Sequence, residues 1–159
     1  MQRLITPERV VDLAFPEGEF LPRERISETQ ILMAEERYLL PIVGQTLYEA
    51  LGDGEYAEFC KEYVEPLLAY GVKYHLLPEL RVYVGAYGVA EPSGVGWRSA
   101  SEESFSALRE GVKSQLKSLR RRLNRALGRE HEAGRLPLYD PKENILKRCR
   151  IDGGLVQML

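Results

Sequence analysis

Small-molecule chemistry in this chain would have to come from two histidines, two cysteines and a few neighbouring carboxylates. His75 lies in an apolar, helix-like stretch and reads as a packed or hydrogen-bonded side chain, while His131, between Glu130 and Glu132, reads as solvated. Neither belongs to an HExxH or HxH pattern, and no Asp/Glu cluster has metal-ligand spacing. Cys60 and Cys149 form no CxxC pair, which gives no disulfide framework and favours a reducing compartment. Glu35-Glu36 and the Glu62, Glu65 pair could act as acid and base only in a desolvated cleft with two unlike environments; on helix surfaces they are solvated charge. A nucleophile elbow, a phosphate-cradling GxxxxGK[ST] loop and a helix-opening GxGxxG are all missing. The expectation is a non-enzyme with no catalytic, cofactor-binding or metal-ligating residue.

Contact with another macromolecule has better candidates. Lys113, Lys117, Arg120, Arg121, Arg122, Arg125 and Arg129 follow one another with no acidic residue between Gly111 and Arg129. Within that run, Lys117, Arg120, Arg121, Arg122 and Arg125 are the residues expected to meet a partner. Charge is also segregated along the chain: residues 1–100 carry 9 Lys and Arg against 16 Asp and Glu, whereas residues 101–159 carry 13 against 8. A basic surface of one copy can therefore be steered onto the acidic surface of another. Nucleic acid is the alternative partner through residues 113–129, but no aromatic residue interleaves these arginines in sequence, and a pI near 5.8 is low for a dedicated binder. Trp97 sits in a glycine-rich stretch, as either a plug against the body or a partner-facing anchor. Leu155 and Val156 belong to a terminal LVQML too apolar to be left free, so they join the candidate contact set.

The elements that must position these residues are mostly helical. Thr6-Pro7 starts a short helix to about Phe15, burying Val10, Val11 and Ala14. Ser27 and Gln30 form a capping box, and Ile26 and Ile31 a hydrophobic staple, for a helix that Pro41 discourages and Gly44 ends. Thr46 is expected to cap the next piece, Leu47 to Leu51, giving a kinked pair. After the Gly52-Asp53-Gly54 turn comes a central helix with kinks or restarts at Pro66 and Pro78. Residues 85–99 form a linker-like loop. A long helix starts at Ser99 or Ser101, carries the seam Phe105, Leu108, Val112, Leu116, Leu119, Leu123 and Ala126, and is capped by Gly128. That seam suits either a groove of its own domain or a neighbouring subunit. Residues 134–159 form an extended tail, with Ile145 to Ile151 and Leu155 to Leu159 flanking a Gly-Gly turn as a small hairpin. The expected fold is thus a kinked multi-helix bundle, residues 1–133, with one long C-terminal helix and a tail used for packing or assembly. With 44% hydrophobic residues, no continuous apolar leader and no segment of membrane-spanning length, a soluble cytoplasmic protein with no membrane partner is expected.

Three pieces of this pattern, the ITPERV helix start, the AEERYLLPIVGQTLYEAL helix-break-helix and the following helix around VEPLLAY, resemble the head-tail connector proteins of tailed bacteriophages and prophages. The resemblance spans roughly the first 85 residues. It implies a small helical adaptor that assembles as a ring beneath the portal, with itself and portal or tail proteins as partners. Shorter members of that family end well before Ser101, so the long helix and tail stand outside the resemblance.

Overall fold

The computed structural model describes all residues but 1, 2, 17, 18, 20, 86, 87, 91–100, 148, 153, 154 and 159; side chains of residues 83–85, 88–90, 149–152 and 155–158 also lie outside the description. The fold is mostly α. Helix α1 (Pro7–Ala14) starts where the Thr6 hydroxyl accepts from the Arg9 amide, with Val10 and Ala14 buried. Helix α2 (Glu28–Ala34) opens on the expected capping box: Ser27 Oγ accepts from the Gln30 amide, and Gln30 Oε1 accepts from the Ser27 amide at 2.9 Å. Ile26 and Ile31, on either side of that cap, are both in the core.

Two prolines are accommodated by wide turns, Pro41 against the expectation that it discourages the helix and Pro66 at a restart expected there. Helix α2 does not break at Pro41; it widens into a π-turn, Glu35–Leu39, and continues as α3 (Leu40–Val43). The same happens 25 residues on. Helix α5 (Ala57–Phe59) runs through a π-turn, Cys60–Val64, into α6 (Glu65–Arg81), whose second residue is Pro66. Each wide turn carries a five-residue bond, Leu40 N–H to the Glu35 carbonyl and Glu65 N–H to the Cys60 carbonyl. The reason is steric. A proline ring clashes with the carbonyl four residues back and offers it no N–H, and one extra residue per turn moves that carbonyl aside. Pro78 is carried inside α6, which runs on to Arg81.

Between the two π-turns, Gly44 (φ 79°) ends α3 and stands as the N-cap of α4 (Gln45–Ala50). Thr46 therefore makes no cap, contrary to expectation, because helix has already begun at Gln45. A 3₁₀ turn, Leu51–Asp53, leads to Gly54 in the left-handed region.

Helix α6 is the centre of the molecule and packs on α1, α2 and α7 (Glu102–Glu132). Its buried residues occur all round, including Leu67, Leu68, Val72 and Leu76. Helix α7 begins at Ser101, whose Oγ accepts from the Ser104 amide, and its 31 residues span about 46 Å. Gly128 does not cap it. The helix runs four residues further to a Schellman ending, with Gly134 at φ 73°, the Gly134 amide bonded to the His131 carbonyl and the Arg135 amide to the Glu130 carbonyl. Leu116, Leu123 and Leu127 join the main core, so the α7 seam from Leu116 onward is occupied by its own domain, while Leu108 near its start is exposed. Short antiparallel strands β1 (Tyr83–Gly85) with β2 (Gly88–Ala90), and β3 (Cys149–Asp152) with β4 (Leu155–Met158), complete the chain. Ile145 to Lys147, expected in the hairpin, form a 3₁₀ turn instead.

Candidate interaction surface

The side chains first suspected of chemistry serve as fasteners. Glu35 has no exposed surface; its carboxylate accepts from the Leu4 amide at 3.1 Å and from the Tyr48 hydroxyl at 2.7 Å, tying the N-terminal segment, the first π-turn and α4 together. Burial, then the bond to Glu35, pushes the Tyr48 hydroxyl well above the ordinary tyrosine range. Glu65 is held by Arg9 Nε at 2.7 Å. Cys60 is buried, its thiol facing the Leu51 carbonyl at 3.6 Å, and burial pushes its pKa up to about 11. His131 is not solvated as its acidic neighbours suggest: Nδ1 lies 3.1 Å from the Leu136 carbonyl, and the ring meets Tyr139 edge-on. Lys73, which sequence reasoning overlooked, is nearly inaccessible; its ammonium donates to the Ala14 carbonyl at 2.7 Å and to Glu19 at 2.6 Å, capping α1 from α6.

The basic residues of α7 divide into two sets. Helices α6 and α7 run antiparallel, zipped by cations lying on aromatic faces. At one end, Arg81 lies 4.7 Å from the Phe105 ring and donates to Glu102; in the middle, Arg109 lies 5.0 Å from the Tyr74 ring. At the other end, Arg122 lies 5.1 Å from the Tyr63 ring and donates to Glu62 at 3.1 Å, while Arg129 donates to the Tyr63 hydroxyl at 2.9 Å. Arg122 is thus spent largely on its own chain. Arg120 is half-buried, its Nε without a hydrogen-bond partner among the described residues.

Lys117, Arg121 and Arg125 form the second set. Their four-residue steps place them on one arc of α7 opposite the buried seam, and all three are exposed. Acidic residues are exposed elsewhere: Asp53 and Glu55 in the turn before α5, and Glu58 on it. Glu55 and Glu58 line an open groove of about 670 Å³ with Phe59, Tyr63, Arg129 and Leu136, beside the C-terminal end of α7. Glu130, at its wall, is held below the usual carboxylate range chiefly by Arg135 and then by Arg129. The groove is a mixed polar and apolar recess suited to holding a side chain.

Of the remaining expected contacts, Trp97 lies outside the described residues, as do the side chains of Leu155 and Val156, whose backbones are in β4. Among the described residues, no three His, Cys, Asp or Glu side chains gather as a metal-ligand set, and no helix is long and apolar enough to cross a membrane. The tyrosines under the arginines were missed in the sequence because they come from another helix. Their only signal was the run Tyr63, Tyr70, Tyr74, which reads equally as core. Comparison of the chain with protein-family models, curated proteins and solved structures finds no match in any of the three.

Proposed function

We propose that this chain is a non-enzymatic structural adaptor of a phage or prophage particle, joining portal or head to tail as a ring of identical subunits. The observation that carries this reading is a pair of exposed, complementary surfaces at different places on one molecule: the Lys117, Arg121, Arg125 arc and the acidic Asp53, Glu55, Glu58 turn. A contact between two unlike patches is heterologous, and it closes into a ring when its rotation allows. The helix-break-helix of residues 34–51, one of the three pieces that carry the resemblance to connectors, supports the same reading. So does the use of Glu35, Lys73 and Asn144 as internal ties rather than as groups facing a cleft.

Mass photometry of the purified protein, alone and with portal protein, tests it. Assembly should be lost in Arg121→Glu with Arg125→Glu and restored when that chain is mixed with Glu55→Lys, Glu58→Lys. A strict monomer at high concentration that also ignores portal protein would sink the reading. A monomer that instead binds labelled DNA through Lys117, Arg121 and Arg125 would move the function to nucleic-acid binding.

A further inference from the structure

Twice in this molecule an arginine is seated in the same way, its guanidinium over an aromatic ring and donating to a carboxylate close to that ring in sequence. Glu102 and Phe105 of α7 receive Arg81, and Glu62 and Tyr63 of the second π-turn receive Arg122. The groove at the C-terminal end of α7 presents the same constellation, with Glu55, Glu58 and the half-buried Phe59 on its lining. Among the described residues, no cation lies on the Phe59 ring, and neither Glu55 nor Glu58 has an ion pair. The other charges of the groove are engaged. Arg129 and Arg135 both donate to Glu130, Arg129 donates also to the Tyr63 hydroxyl at 2.9 Å, and Glu62 is held by Arg122 at 3.1 Å. Four carboxylates against two arginines leave the lining with a net charge of -2, and the two carboxylates without a partner are Glu55 and Glu58. Leu136 and Pro137 add an apolar stretch to the same recess.

We propose that this groove is the socket for an arginine side chain of a second copy of the chain, Arg121 of the α7 arc, seated on Phe59 and donating to Glu55 and Glu58. The proposal rests on the subunit contact argued above and gives it a specific acceptor. Charge complementarity selects a cation, and the ring selects arginine over lysine: a planar guanidinium stacks on an aromatic face while its fork meets carboxylate oxygens, which an ammonium cannot do at once. The methylene stem of an arginine suits the apolar part of the recess. On the donor side, Arg120 is half-buried and Arg122 is seated on its own chain, which leaves Arg121 and Arg125 exposed. Arg125 stands one helical turn from Arg129 on the wall of its own groove, and Arg121 stands two, so Arg121 is the one set apart for another molecule.

Sedimentation of the full chain over a concentration series, at low salt, tests the socket. Arg121→Lys keeps the charge and loses the planar fork, and it should weaken self-association by about threefold. Phe59→Leu keeps an apolar side chain and loses the ring, with the same expected loss of about threefold. The two changes should not add, because they remove one contact. Glu55→Gln with Glu58→Gln should weaken association by about tenfold, while Glu36→Gln with Glu103→Gln, an equal change of charge away from the groove, should leave it unchanged. Arg121→Lys lies at an exposed position and keeps the test valid even if the thermal melt shows Phe59→Leu to be poorly folded. Assembly that is lost in Arg121→Glu with Arg125→Glu but indifferent to Arg121→Lys and Phe59→Leu overturns the socket and leaves the charge-steered contact standing. Equal weakening by the Glu36, Glu103 pair also overturns it. A chain that shows no self-association at any concentration overturns the socket as well, and the adaptor reading then turns on portal binding alone.

Discussion

The ring of Tyr38 lies directly against Gly71, so close that a Cβ on Gly71 would come within 2.7 Å of Tyr38 Cδ2. The π-turn that carries Tyr38 and the centre of α6 meet at this point, and the absence of a side chain on α6 is what lets them do so. Gly71→Ala gains up to about 1 kcal/mol of helix propensity. It also drives a methyl into a buried ring already stacked on His75, and overpacking of that kind costs about 1–3 kcal/mol. Gly111, on the exposed side of α7, has nothing within 4 Å of its added Cβ, so Gly111→Ala should stabilise by about 0.5–1 kcal/mol. Urea unfolding of the two variants should give changes of opposite sign, and a stabilised Gly71→Ala would mean that α2 and α6 are not this close.

Asn144 ties the segment after α7 to the bundle. It is fully buried; its amide nitrogen donates to Asn124 Oδ1 at 2.8 Å and to the Tyr139 hydroxyl at 2.7 Å, and its Oδ1 accepts from the Leu146 amide at 2.9 Å. Asn144→Ala leaves these partners without their bonds in a dry site and should cost about 1–3 kcal/mol. Hydrogen exchange read by mass spectrometry should show protection falling in residues 136–147 while α2 and α6 keep theirs. Uniform loss across the chain would contradict a local tie.

Local hydrogen-bonding signals were legible in the sequence, while features set by another helix were not. Thr6, Ser27 and Ser101 were readable as caps because the bonds they make lie within three residues. The α7 seam was readable because Val112, Leu116 and Leu123 keep helical spacing. Pro41 misled, since a missing N–H signals a break unless the helix can widen, whereas the restart read at Pro66 is where α6 begins. The shared order Tyr38-Leu39-Leu40-Pro41 and Tyr63-Val64-Glu65-Pro66 marks both wide turns, but only their burial shows why the chain accepts them. Gly128 looked like an ending, yet Ala126 and Leu127 before it are buried against the core, and the positive φ needed for the stop falls at Gly134. For the basic cluster, composition gave the charge but not its use: Arg122 is engaged by Glu62 and Tyr63, and Arg109, with no part in the original cluster, sits on Tyr74.

His75 gives the molecule a pH dependence whose sign follows from its surroundings. Burial first, and then Arg37, hold its pKa below the ordinary 6.5, with Glu79 opposing. The folded protein therefore favours the neutral ring, while the unfolded chain takes up a proton as pH falls past 6.5. The stabilisation is complete above that value and is lost as pH drops toward the folded pKa. His75→Phe keeps a ring between Tyr38 and Tyr74 but cannot titrate, so its melting temperature should vary less between pH 7 and pH 5 than that of the parent. Below about pH 4.5 the two curves should fall together, because Glu8, Glu24 and Glu130, all held below that ordinary value by their hydrogen bonds, then begin to protonate in the unfolded chain first. Identical slopes for parent and His75→Phe between pH 7 and pH 5 would remove the basis for a buried neutral imidazole.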